Sequence, residues 1–228
     1  NPLTNVVNPQ PKRLVIEEME EELRTGKTPK EQIPDKVARV AELYADLGQR
    51  EKAIDFLKRA IRAKASPDVY LLNRLAGYYG MIGDVDREEK FYREAGSVSS
   101  WSGTWFNLSL ALRRRGKLLE AAEAVNQAIK LDRQAPYQVL AAMIAGSQQD
   151  SARSEKLLAE AMAVFGPIRS LNDWELGWFV TAAQTLGDQA KLSAARAEQQ
   201  RRVQSGAAPT LAEGDLPIVT PGLMRPRE

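Results

Sequence analysis

The sequence predicts an all-α protein built from stacked helical hairpins, and three observations lead there. Val37 to Ala63 reads as two short amphipathic helices joined by a tight turn at Leu47-Gly48. The pattern returns at a spacing near 34 residues, with the turn glycines Gly48, Gly83 and Gly116 set 35 and 33 residues apart. Small residues recur inside each second helix in register with those glycines. Features in phase over three units mark a repeat array rather than one chance motif.

Composition narrows the function classes. The 228 residues are 43% hydrophobic and 27% charged, ordinary chemistry for a packed domain. A net charge of +2, from 32 basic and 30 acidic residues, gives no bulk electrostatic case for nucleic acid or an anionic membrane, and no nucleic-acid partner is expected. No run approaches the roughly 18 apolar residues of a bilayer span. The chain has no Cys and no His, which excludes disulfides, Cys/His zinc sites, haem held by His or Cys, and His-based nucleophilic catalysis. Asp84 and Asp86 sit in a turn without the partners of an acid/base pair or a calcium loop. The expectation is a non-enzymatic protein with no cofactor and no metal. Zero Cys fits both the cytoplasm and a bacterial envelope space, and a start at Asn-Pro-Leu without Met fits a processed chain.

Residues 1–33 form an N-terminal extension. Its first 13 residues, rich in Pro and Asn, are expected to be extended. Leu14 to Arg24 reads as a helix with Ile16, Met19 and Leu23 on one stripe. Its glutamates Glu17, Glu18, Glu20, Glu21 and Glu22 are either a solvated face or an acidic docking surface. Gly26 to Pro34 is a linker.

The repeats occupy 34–202. In the first, Val37, Val40, Ala41 and Tyr44 mark one face of the first helix, and Ala53, Leu57 and Ala60 one face of the second. The second has Leu72, Leu75, Ala76 and Tyr79, then Ile82-Gly83, Tyr92 and Ala95; Glu88 stands where the first has Ala53. The third has Trp105, Leu108, Ser109 and Leu112, then Gly116, Ala121, Val125 and Ala128. A fourth is weaker, with Gln149 at the turn-glycine position. A fifth has Trp174, Trp178, Phe179 and Ala183, then Leu186-Gly187, Ala190, Ala194 and Ala197. Residues 203–228 form a Pro-containing tail in which Leu216, Ile218, Val219, Leu223 and Met224 are apolar. That tail is expected on a surface of its own chain, a second copy or another subunit.

This pattern resembles the tetratricopeptide repeat, whose unit carries a large residue, Leu, a small residue, Tyr, Leu-Gly, Ala, a large residue and Ala at these spacings. The resemblance implies a right-handed superhelical solenoid with extended N- and C-terminal tails, whose first (A) helices line a concave groove. It implies a protein-protein interaction module or assembly scaffold holding a peptide or helix of a partner. The alternative is a permanent structural subunit of a larger complex, strapped or self-associated through its tails. Carried onto this sequence, the groove receives Tyr70, Asn73, Arg74 and Gly77 from the second repeat, Phe106, Asn107, Leu110 and Arg113 from the third, and Met143 from the fourth. Gly77 and Gly80 would leave room for a bulky partner residue. Tyr70 and Phe106 are either groove contacts or ordinary surface, while Tyr44, Tyr79 and Trp105 are core. Ala38 and Glu42 stand where the family's two-carboxylate clamp needs Lys and Asn, so chaperone C-termini are not expected ligands. Arg113-Arg114-Arg115-Gly116-Lys117 reads as a basic run complementing a helix C-terminus.

Overall fold

The computed structural model describes residues 10–63 and 68–205. The extended segment expected before residue 10 and the tail beyond 205 lie outside them. Eleven α-helices are present among the described residues: α1 (Gln10–Arg24), α2 (Ile33–Asp46), α3 (Arg50–Arg62), α4 (Val69–Met81), α5 (Val85–Ser97), α6 (Ser102–Arg114), α7 (Leu118–Leu131), α8 (Ala135–Ser147), α9 (Ser151–Val164), α10 (Asp173–Thr185) and α11 (Gln189–Gln204). From α2 onward they pair as five hairpins. The fold is all-α, as the periodicity predicts. The chain divides into two compact units, Asn1–Val98 with two hairpins and Ser99–Glu228 with three.

One backbone device makes all five hairpins. After α2, Gly48 N donates to Ala45 O at 2.8 Å and Gln49 N to Tyr44 O at 2.9 Å, with Gly48 at φ +74°. This paired closure satisfies carbonyls that the last helical turn leaves free, and it needs a left-handed residue just past the helix. Gly83, Gly116 and Gly187 repeat it. The fourth turn runs the same bonds through Gln149, which takes φ +65° without being Gly. The weak fourth repeat is therefore a full hairpin. Where α5, α9 and α11 begin, Asp84, Asp150 and Asp188 accept from the backbone N–H three residues on, so these three of the five turns end in a side-chain N-cap.

In the N-terminal unit, Val37, Ala38 and Ala41 of α2 share a core with Ala53, Ile54 and Leu57 of α3 and Leu71, Leu75, Tyr78 and Tyr79 of α4. Ala41 and Ala53 are fully buried, and their lack of bulk lets the α2 and α3 backbones close together. Helix α1 starts at Gln10, earlier than expected, because Pro11 sits in its first turn where a missing N–H costs nothing. Its Ile16 packs with Val40 and Leu43. Part of the glutamate run is used for this docking. Glu20 accepts from the Tyr44 hydroxyl at 2.8 Å, and Glu22 pairs with Lys36. Lys12 bonds Asp46 at 2.7 Å.

In the C-terminal unit the small residue of the third repeat is bound as well as fitted. Ser109 Oγ donates to Ala121 O at 2.8 Å, joining α6 to α7 inside the core. The last hairpin is tied by charge. Glu198 accepts from Arg201 Nε and Nη2 at 2.8 and 2.7 Å and from Arg202 Nε at 2.9 Å. Arg202 also donates to Asp173 Oδ1 at 2.7 Å and Leu171 O at 2.8 Å, fastening α11 to the entry of α10. Hydrogen bonds from Arg201 and then Arg202 lower the Glu198 pKa from 4.5 to about 2. A carboxylate depressed on folding stabilises the fold above its unfolded pKa, and that contribution is lost as pH falls toward the folded value. The urea midpoint of the chain is expected to drop between pH 4.5 and 2, with Glu198→Gln removing part of the drop. An unchanged pH profile in that variant would refute the assignment.

Candidate partner-binding surface

The residues assigned to the groove lie on α4, α6 and α8. These helices lack an amphipathic stripe. Every residue from Leu71 to Tyr79 is buried, as is α8 from Ala135 to Ala145 except Met143. A helix covered all round has few side chains left to offer a partner.

On α4, Tyr70 is half-buried and its hydroxyl accepts from Arg74 Nη2 at 2.9 Å. The guanidinium also lies 5.1 Å from the centre of the Tyr70 ring, a cation-π contact. Arg74 Nε is enclosed and has no hydrogen-bond acceptor. Asn73 spends an amide N–H on Val69 O of its own helix, at 2.8 Å. Gly77 is buried. The space at Gly80 is taken by the chain itself, since a Cβ there would stand 2.5 Å from Glu88 Oε1. Glu88 is 3% exposed, and its odd place in the repeat pattern is matched by a glycine on the facing helix.

On α6, Phe106 is 0% exposed. Its ring stands 4.8 Å from Tyr137, 5.8 Å from Trp174 and 5.5 Å from Trp178, the two Trp contacts edge-on. Neither surface nor open groove describes it. The expected roles of adjacent residues are reversed, because Trp105, expected in the core, is only half-buried. Asn107 and Leu110 are buried too, at 6% and 5% exposure. Arg113 is half-buried with its Nε enclosed and unpaired, and desolvation lowers its pKa. Met143 on α8 is half-buried.

Sequence reasoning missed Tyr137. It is fully buried, its hydroxyl lies 3.2 Å from Ser102 Oγ, and burial pushes its pKa up to about 12. The only available signal was an aromatic next to Pro136 at the start of the weakest repeat. The assigned residues still accessible are therefore Tyr70, Arg113 and Met143, and among the described residues Arg74 Nε and Arg113 Nε are enclosed without an acceptor.

A family model for the tetratricopeptide repeat matches residues 38–67 and 102–134, which span the first and third hairpins. Those two hairpins are tetratricopeptide repeats. Solved structures share the fold at low sequence identity. BtubC (BKLC) from P. vanneervenii is 17% identical, with 90% of this chain and 93% of that chain covered and a TM-score of 0.63. PilF of Pseudomonas aeruginosa is 15% identical, with 86% and 93% covered and a TM-score of 0.55. YrrB, described as a tetratricopeptide-repeat protein with an unusual peptide-binding site, is 13% identical, with 68% and 78% covered and a TM-score of 0.54. No curated protein matches the sequence. Tetratricopeptide repeats of this kind support a protein-protein interaction or scaffold role. Among the described residues, no helix is long and apolar enough to cross a membrane.

Proposed function

We propose that this protein is a non-catalytic scaffold whose A helices hold a peptide or helical segment of a partner protein. The observation that supports this most directly is Arg113 on α6, which is half-buried and whose Nε has no hydrogen-bond acceptor among the described residues. Partial burial of a guanidinium without an acceptor costs free energy, and a partner carboxylate on the accessible side of Arg113 would offset part of that cost. Tyr70 and Met143 stand half-open on the same class of helix and offer aromatic and thioether surface. Asn73 and Gly77 are buried on the helix that carries Tyr70, and Phe106, Asn107 and Leu110 on the helix that carries Arg113.

The test is capture from native lysate by the intact chain and by a Tyr70→Ala/Arg113→Ala/Met143→Ala variant. These half-buried positions tolerate truncation better than Phe106. Loss of the captured partners from a folded variant is expected. Capture at undiminished yield would overturn the assignment of this surface.

A further inference from the structure

We propose a second docking surface, on α3, for an acidic segment of a partner protein. Lys52, Lys58, Arg59 and Arg62 line a cavity of about 350 Å³ together with Tyr44 and Asp55. The chain as a whole is nearly neutral, so four cations against one carboxylate is a local excess. Lys58 pairs with Asp55 at 3.5 Å. Among the described residues, Lys52, Arg59 and Arg62 pair with no carboxylate, and all three are exposed. Lys52, Asp55, Arg59 and Arg62 follow spacings of three, four and three, which places them along one face of the helix.

Aromatic rings flank the cation heads. Lys52 Nζ lies 6.0 Å from the Tyr44 ring centre, and the Arg59 guanidinium 5.7 Å from that of Phe56. The Tyr44 hydroxyl is already committed to Glu20, so its ring serves as an apolar wall and the cations supply recognition. From Lys52 to Arg62 the stripe runs about 15 Å along the axis, the reach of roughly four or five extended residues. That length suits a short run of Asp and Glu. A nucleic-acid backbone would require a longer track of cations. This surface belongs to the second helix of its hairpin and is independent of the A-helix residues proposed above.

The experiment is a fluorescence-anisotropy titration of the intact chain with labelled hexaglutamate, with hexaglutamine and a 12-nucleotide single-stranded DNA as further probes. Saturable, salt-sensitive binding of hexaglutamate and none of hexaglutamine is expected. The variant Lys52→Gln/Arg59→Gln/Arg62→Gln should weaken it roughly tenfold or more, the sum of three exposed charge contacts. A control replacing the exposed Arg13, Lys27 and Lys30 by Gln should leave it intact. Absence of saturable binding, equal loss in the control, or tighter binding of the oligonucleotide to the same patch would overturn the proposal. Should the triple variant fold poorly, backbone NMR shifts of the unsubstituted chain decide. Hexaglutamate must move amides of α3, and shifts confined to other helices would refute the site.

Discussion

Phe106→Ala is expected to destabilise the three-hairpin unit by about 3–5 kcal/mol, the range for deleting a buried aromatic ring. Phe106 has no exposed surface and touches Tyr137 of α8 and both Trp174 and Trp178 of α10. Its removal would leave a void bordered by three rings from two helices, which cannot all move inward together. The edge-on contacts add to the area term. Urea unfolding followed by circular dichroism gives the magnitude, and Trp emission should shift to the red because two of the four tryptophans stand in the cluster. A loss below 1 kcal/mol, as for a surface residue, would contradict this packing. The same reasoning removes Phe106 from any set of substitutions meant to probe partner binding in a folded chain.

Leu57→Ala is expected to cost the two-hairpin unit about 2–5 kcal/mol. Leu57 is fully buried on α3 and shares one core with Val37 and Ala41 of α2 and Leu71 and Leu75 of α4. It thus serves its own hairpin and the start of the next. The alanines around it have little bulk with which to refill the space, so collapse around the cavity is limited. Leu57→Met, which conserves volume, should stay under about 1.5 kcal/mol. Equal losses for the two variants in urea titrations would mean that shape rather than volume governs the position.

The fold was legible because its determinants are local. Gly48, Gly83, Gly116 and Gly187 announce turns that require a left-handed residue, and each bond of those turns lies within six residues of sequence. Gln149 hid the fourth turn only from a search for glycine, since the residues around it kept the phase. The candidate surface was less legible. The inner-face positions carried over from the resemblance fall on half-buried residues at Tyr70 and Met143, but they could not say what closes over Phe106. Tyr137, Trp174 and Trp178 come from later helices, and burial by another element leaves no trace in the spacing of α6 itself. Asn73 and Leu110 were assigned by the same local rule and are buried for the same kind of reason. The basic run from Arg113 to Lys117 drew notice by its density. The cations of α3 did not, because helical geometry spreads them through the sequence.

The exchange between Gly80 and Glu88 limits how freely these hairpins could be shuffled. In the first hairpin the small residue is Ala53, on the second helix; in the next, a bulky carboxylate stands there and the facing helix yields with a glycine. Two halves of one joint have been cut to each other. A chimera that took α5 without α4, or a consensus sequence that restored an alanine at position 80 alone, would bring a methyl group against a buried carboxylate. Recombination keeps this fit only by passing α4 and α5 on together.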